Sequence, residues 1–184
     1  MKRSSTRSTA DRMGGAIARG TLEKASDAPR MQEVDVKLAH GEPANGVELF
    51  QPYGFTAVGQ PPTTEGGKKR RAEVVLLFPT GARSHPIALM VGDRRYRLKG
   101  LQNGEVALHD DQGQKVHLSR AGVVLEVPEG KTITNKVGGV TMSLSKDGLD
   151  VTGGYIKHNG KRIDAEHRHD GVQPGSGTTG EPIA

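Results

Sequence analysis

The rhythm of apolar and polar positions changes along the chain and divides it into four stretches. Residues 1–30 are polar and basic, and Ser8 with Asp11 forms an S-x-x-D capping box for one short helix, kept marginal by Gly14, Gly15 and Gly20. Residues 31–98 alternate apolar with charged side chains: Val34, Val36, Leu38; Val47, Leu49 and the Phe50 to Phe55 cluster; then the denser runs Val74 to Phe78 and Ile87 to Val91. This texture predicts four or five strands with polar loops, including the excursion from Pro61-Pro62 to Arg71. Residues 99–164 carry turn signals every few residues, at Asn103-Gly104, Asp111 to Gly113, Gly122, Glu129-Gly130, Gly138-Gly139, Asp147-Gly148, Gly153-Gly154 and Asn159-Gly160. Residues 165–184 are rich in glycine.

The chain is therefore expected to be all-β. Five strands joined by turns and without a long helix fit a small closed barrel over 31–98, of which the OB-fold is the common five-stranded form. Periodicity alone does not separate that barrel from a small open sandwich.

Between the turns of the third stretch lie very short alternating strands: Val106, Leu108; Val116, Leu118; Val123, Leu125, Val127; Ile133; Val140, Met142, Leu144; Leu149, Val151; Ile156. A single copy of such a ladder has no second layer on which to bury its apolar face. The economical arrangement is a homotrimer whose three ladders close an intertwined β-helix or β-prism around a shared axis. The simpler alternative is a monomeric meander that continues the first domain.

Composition sharpens this picture. The 184 residues include 26 Gly but only three Phe, three Tyr and no Trp, so the large side chains of ordinary cores are scarce. With no Cys there is no disulfide, thiolate metal site or cysteine nucleophile, and any metal must be held by His, Asp, Glu or backbone oxygen. The longest apolar runs fall far short of the roughly 20 residues of a spanning helix. The basic start is followed by no apolar segment, so no secretory signal is expected. The net charge of +5 is concentrated in residues 1–30 and in the run Lys68, Lys69, Arg70, Arg71. Without interleaved aromatics or a Cys/His finger this charge suits a solvated arm or an acidic protein partner, and nucleic acid is not expected as a ligand.

The candidate chemistry lies near the C-terminus, in Glu166-His167-Arg168-His169-Asp170. In an extended segment His167 and His169 share one face, about 6.5 Å apart at Cα, so two imidazoles can converge on one centre. Two nitrogens from one chain make a poor metal site, but on a threefold axis three chains supply six, an octahedral shell for iron, nickel or zinc. Saturated in this way, the ion would be structural and not catalytic. The tail from Asp170 to Pro182 reads either as disordered or as a compact cap in which glycines allow tight reversals around the ion.

These residues resemble the Mu-type phage baseplate assembly protein V family. The resemblance runs through Ile17-Ala18-Arg19-Gly20, Met31-Gln32, Gly41-Glu42, Val47 to Thr56, Gly81 to His85, Gly92 to Arg97 and Gly104 to Leu108. It ends with Gly160 to Asp164, the His167-x-His169 pair, Gly171-Val172 and Thr179-Gly180. It implies a homotrimer with an OB-fold-like barrel, a β-prism stem and a metal-capped apex. There His167 and His169 of three chains would bind one iron in an octahedral shell, with calcium or chloride ions near the tip in some relatives. The implied role is mechanical. The protein would be the central spike of a contractile tail, assembled in the host cytoplasm and carried at the baseplate tip of the virion. There it would contact baseplate hub and tail tube proteins and pierce the host outer membrane. The chain departs from the family in Glu166, where relatives often carry Thr, and in Arg168 between the histidines. His40, His85, His109, His117 and His158 match no family role and read as surface or structural.

No catalytic residue is expected. A cell-wall hydrolase needs paired carboxylates in a cleft, and there is no inserted domain of adequate length to build one. The rivals are a metal-dependent hydrolase built on Glu166, His167 and His169, and a purely structural baseplate adaptor.

Overall fold

The computed structural model describes residues 16–81, 83–168, 170, 171, 173 and 175. The expected helix at Ser8 and Asp11 lies outside the described residues, as does His169. The fold is all-β, and its helical content among the described residues is one 3-10 turn, Ala39–Gly41. The chain divides into two compact units, residues 1–100 and 101–184.

The first unit is built on a five-stranded antiparallel sheet. Its strands are β1 (Ile17–Ser26), β2 (Glu33–Lys37), β3 (Pro43–Glu48), β6 (Glu73–Leu77) and β7 (Ile87–Gly92), in the spatial order β3-β2-β1-β6-β7. A separate hairpin, β4 (Thr63–Glu65) with β5 (Lys68–Arg70), occupies the excursion before β6. Register shifts in the β1–β2, β2–β3 and β6–β7 pairings mark bulges, which bend strands and let a short sheet curl. The sheet is not closed by a ladder. Its two outer edges meet at one parallel bridge, Leu49 to Ala88, where Phe50 N–H also donates to the Ala88 carbonyl at 2.9 Å.

Alternation places Leu22, Val34, Val36, Val47, Val74 and Leu76 on one face, and with Leu49, Ala72, Phe78 and Ala88 they form a fully buried core. Two expectations change here. Ile17–Ser26 belongs to the stretch read as a basic arm, yet it is the middle strand of the sheet. Its inward positions include Ala18 and Gly20, too small to register as hydrophobic alternation, and Arg19, Glu23 and Lys24 dominate its appearance. The Phe50 to Phe55 cluster, read with the strands, is instead an exposed loop.

The second unit contains two three-stranded meanders and a hairpin. The first meander is β8 (Val106–His109), β9 (Lys115–Ser119) and β10 (Gly122–Glu126); the second is β11 (Ile133–Val137), β12 (Val140–Ser145) and β13 (Gly148–Thr152). The hairpin is β14 (Lys157–His158) with β15 (Lys161–Arg162). Register aligns Val106, Leu118 and Val123 in one row and Leu108, Val116 and Leu125 in the next, so one face of the first meander is wholly apolar. The second meander aligns Ile133, Leu144 and Leu149, then Asn135, Met142 and Val151, with Val137 opposite Val140. Among the described residues of this unit none is buried, and Val123, Leu125, Val137 and Leu149 are more than half exposed.

Candidate metal centre

The end of the second unit is braced locally before it reaches the histidines. Asn159 and Gly160 both take positive φ (47° and 80°), the signature of a tight two-residue hairpin loop between β14 and β15. Lys157 and Arg162 flank the Tyr155 ring, 4.5 Å and 5.4 Å from its centroid, and Ile163 N–H donates to the Ile156 carbonyl at 3.0 Å. These cation–π contacts keep the hairpin upright where apolar packing is thin.

Arg162 then grips the following turn. Its Nη2 donates to Asp164 Oδ2 at 2.8 Å, its Nε donates to the same carboxylate at 3.1 Å, and its Nη1 pairs with Glu166 Oε2 at 2.7 Å. The Arg162 bond is the main reason the Asp164 carboxyl is held below the usual range, so that group stays an acceptor in moderate acid. Asp164 Oδ1 accepts from Glu166 N–H at 3.1 Å, and the Asp164 carbonyl accepts from His167 N–H at 3.0 Å, closing a turn over Asp164 to His167.

His167 is oriented by this turn. Its Nδ1 lies 2.7 Å from the Asp164 carbonyl, and a carbonyl can only accept, so Nδ1 carries the proton. In the neutral ring the lone pair is then on Nε2, the arrangement that metal-ligating histidines use when a backbone carbonyl fixes their tautomer. The donor set is thus chemically suited to a borderline metal, with one described nitrogen per chain. Among the described residues, no three His, Asp or Glu side chains of one chain gather around a common point.

Glu166 and Arg162, side by side in space, neutralise each other. The R-x-D-x-E spacing of Arg162, Asp164 and Glu166 was the readable signal for this clasp, and reading the histidines alone misses it. Of the other described histidines, His158 stands in β14 opposite Lys161. His117 Nε2 sits 3.2 Å from Glu105, whose carboxylate also accepts from the backbone of Gln102 and Arg120. His85 meets Ser84, and His40 lies in the 3-10 turn.

Comparison with known proteins matches both ends of this arrangement. Residues 19–95 match the family described as Bacteriophage Mu Gp45, N-terminal, and residues 165–182 match the GpV Apex motif. The chain is 28% identical over 106 residues to the "Baseplate puncturing device gp45" of Escherichia phage Mu, covering 58% of this chain and 49% of that protein. It is likewise 28% identical over 106 residues to the "Mu-like prophage FluMu protein gp45" of Haemophilus influenzae, covering 58% of this chain and 53% of that protein. The match thus spans about half the length of these relatives. The resemblance to Mu-type baseplate proteins drawn from the motifs holds in the first unit and again at the apex.

Proposed function

We propose that three copies of this chain form the central spike of a contractile phage tail. The spike closes the tube at the baseplate of the virion and is driven mechanically through the host outer membrane when the sheath contracts. One observation carries the reading: a unit ending in an apex motif presents two β-ladders whose apolar faces a single chain leaves open. Burying one Val or Leu side chain is worth about 1.5–3 kcal/mol, so rows such as Val106, Leu118 and Val123 strongly favour a copy-to-copy core. A prism closed in this way is stiff along its axis and polar outside, which suits piercing. The opposite faces of the same strands carry His117, Lys115, Thr141, Ser143 and Asp150, with Ala107 and Val124 beside His117.

The first unit is read as an OB-fold-like barrel, supported by its strand order and by the parallel bridge that joins its outer edges. Its partners would be the baseplate hub and the tail tube. At the apex, His167 and His169 of three chains would hold one iron through six imidazole nitrogens, and the carbonyl-fixed tautomer of His167 supports this. The bound ion would supply cross-linking of three chain ends. Within each chain, Arg162 and Asp164 hold the turn and orient the ring.

Mass photometry with element-specific metal analysis tests the reading, and the expected result is a trimer with one transition-metal ion per three chains. A folded, metal-free monomer would overturn it. In assembled particles, deletion of the apex should leave the baseplate intact and abolish infection; retained infection would favour the adaptor role.

A further inference from the structure

Half of the chain's six aromatic rings lie in one exposed loop of the first unit that its own core does not use. Tyr53 is fully exposed at 108%, and Phe50, Phe55 and Val58 are about half exposed at 47%, 48% and 51%. Between Glu48 and Glu65 there is no charged residue, although 26% of the chain is charged.

The loop is nevertheless held rigidly. The Gln51 side chain ties its neck, donating from Nε2 to the Ala57 carbonyl at 2.8 Å and accepting from Ala57 N–H at 2.7 Å. Phe55 N–H donates to the Pro52 carbonyl at 3.0 Å, which makes Tyr53 part of the turn at the tip. On the return, Gly59 lies so close to the core that a β-carbon there would stand 2.7 Å from Leu22 Cδ2. The mostly buried Arg95 then locks the exit, donating to the carbonyls of Pro61 at 2.9 Å and Gln60 at 3.3 Å. The same guanidinium reaches Thr63 Oγ1 and the Arg70 carbonyl, so it also anchors the base of the β4–β5 hairpin with its exposed Lys68 and Lys69.

We infer that this loop and hairpin form one preorganised docking arm for another protein of the particle, one whose surface has an uncharged apolar recess bordered by acidic residues. The inference rests on the baseplate reading above. Ordering a loop costs conformational entropy, and a rigid aromatic tip returns that cost only on meeting a surface of matching shape. Tyrosine at the centre of a contact is a typical energetic anchor, and the exposed Lys68 and Lys69 of the hairpin that Arg95 also anchors, which outnumber Glu65 across the ladder, speed encounter with an acidic surface. A second copy of this chain is the competing occupant, and the oligomeric state of the Tyr53 variants separates the two. Lipid is a poor occupant, since insertion places no premium on a fixed loop shape.

The probe is a preparation of tails assembled without this chain, to which purified chain is added and occupancy measured by sedimentation. Wild type should load. Tyr53→Ser should lose at least tenfold in occupancy and Tyr53→Ser/Phe55→Ser more, with oligomeric state and the melting of the first unit unchanged. Lys68→Glu/Lys69→Glu should slow loading, most at low salt. If wild type loads and both tyrosine variants load equally well, the docking arm is wrong while the baseplate reading stands. If wild type itself does not load, both fall. Flotation with anionic vesicles, or concentration-dependent self-association, that Tyr53→Ser abolishes would also overturn the arm.

Discussion

The two units use the same strand alternation with opposite outcomes. In the first, curling of five bulged strands turns Leu22, Val34, Val74 and Leu76 onto one another, and they are completely buried within one chain. In the second, three-stranded meanders align their apolar residues just as regularly, and every described one remains accessible. The difference is not composition. A sheet of three short strands cannot fold back on itself, so its apolar face must be covered from outside. One unit closes its core within the chain, and the other leaves its apolar faces open within the chain.

The largest expected effect attacks the core that the proposed trimer would share. Met142→Asp puts a charge in the middle of the row with Asn135 and Val151. It should abolish association entirely while the first unit melts as before, as read by mass photometry beside calorimetry. Persistence of the trimer would break the contrast. Next, Leu76→Ala in the closed core should cost about 2–5 kcal/mol by leaving a cavity, lowering the first transition without changing oligomeric state. A sharper test uses wild type alone: the stem transition should rise with protein concentration, and the first-unit transition should not.

Smaller effects concern charge. Asp93 in the first unit is held below the usual carboxylate range, chiefly by its hydrogen bonds from Arg95. A depressed carboxylate stabilises the fold above its unfolded value of about 3.9 and loses that contribution as pH falls through the lower folded value. The first unit should therefore lose stability in acid below about pH 4, and Asp93→Asn should flatten that slope, as followed by melting temperature against pH. At the apex, Arg162→Gln should leave the trimer formed but loosen the His167 turn, weakening metal retention against a chelator several-fold.

Much of the second unit was legible because period-two alternation with glycine turns survives any neighbour: the apolar residues expected in short strands from Val106 to Leu125, Ile133 and from Val140 to Val151 lie in β8 to β13, whereas Val127 and Ile156 fall just outside strands. The strand β1 was not legible, because its inward positions are partly Ala18 and Gly20, whose value is space and not hydrophobicity. The aromatic cluster at Phe50 to Phe55 is illegible for the opposite reason. Large rings usually signal core, and only the side-chain ties of Gln51 and Arg95 show them held outward. At the apex the H-x-H spacing points to His167 and the R-x-D-x-E spacing marks the charges of the clasp, while which of them pair needs coordinates, since Arg162 meets Asp164 and Glu166 only when a turn brings them together.

By itself, then, the sequence determined that this chain is all-β, that its third stretch is a ladder of short one-sided strands, and where its candidate metal ligands lie. These are local properties, set by side-chain period and turn chemistry within a few residues. Only the tertiary structure decided which apolar faces close within one chain and which stay open, and which aromatic rings belong to no core. Burial is a property of distant segments meeting, and a pattern along one segment does not say what will cover it.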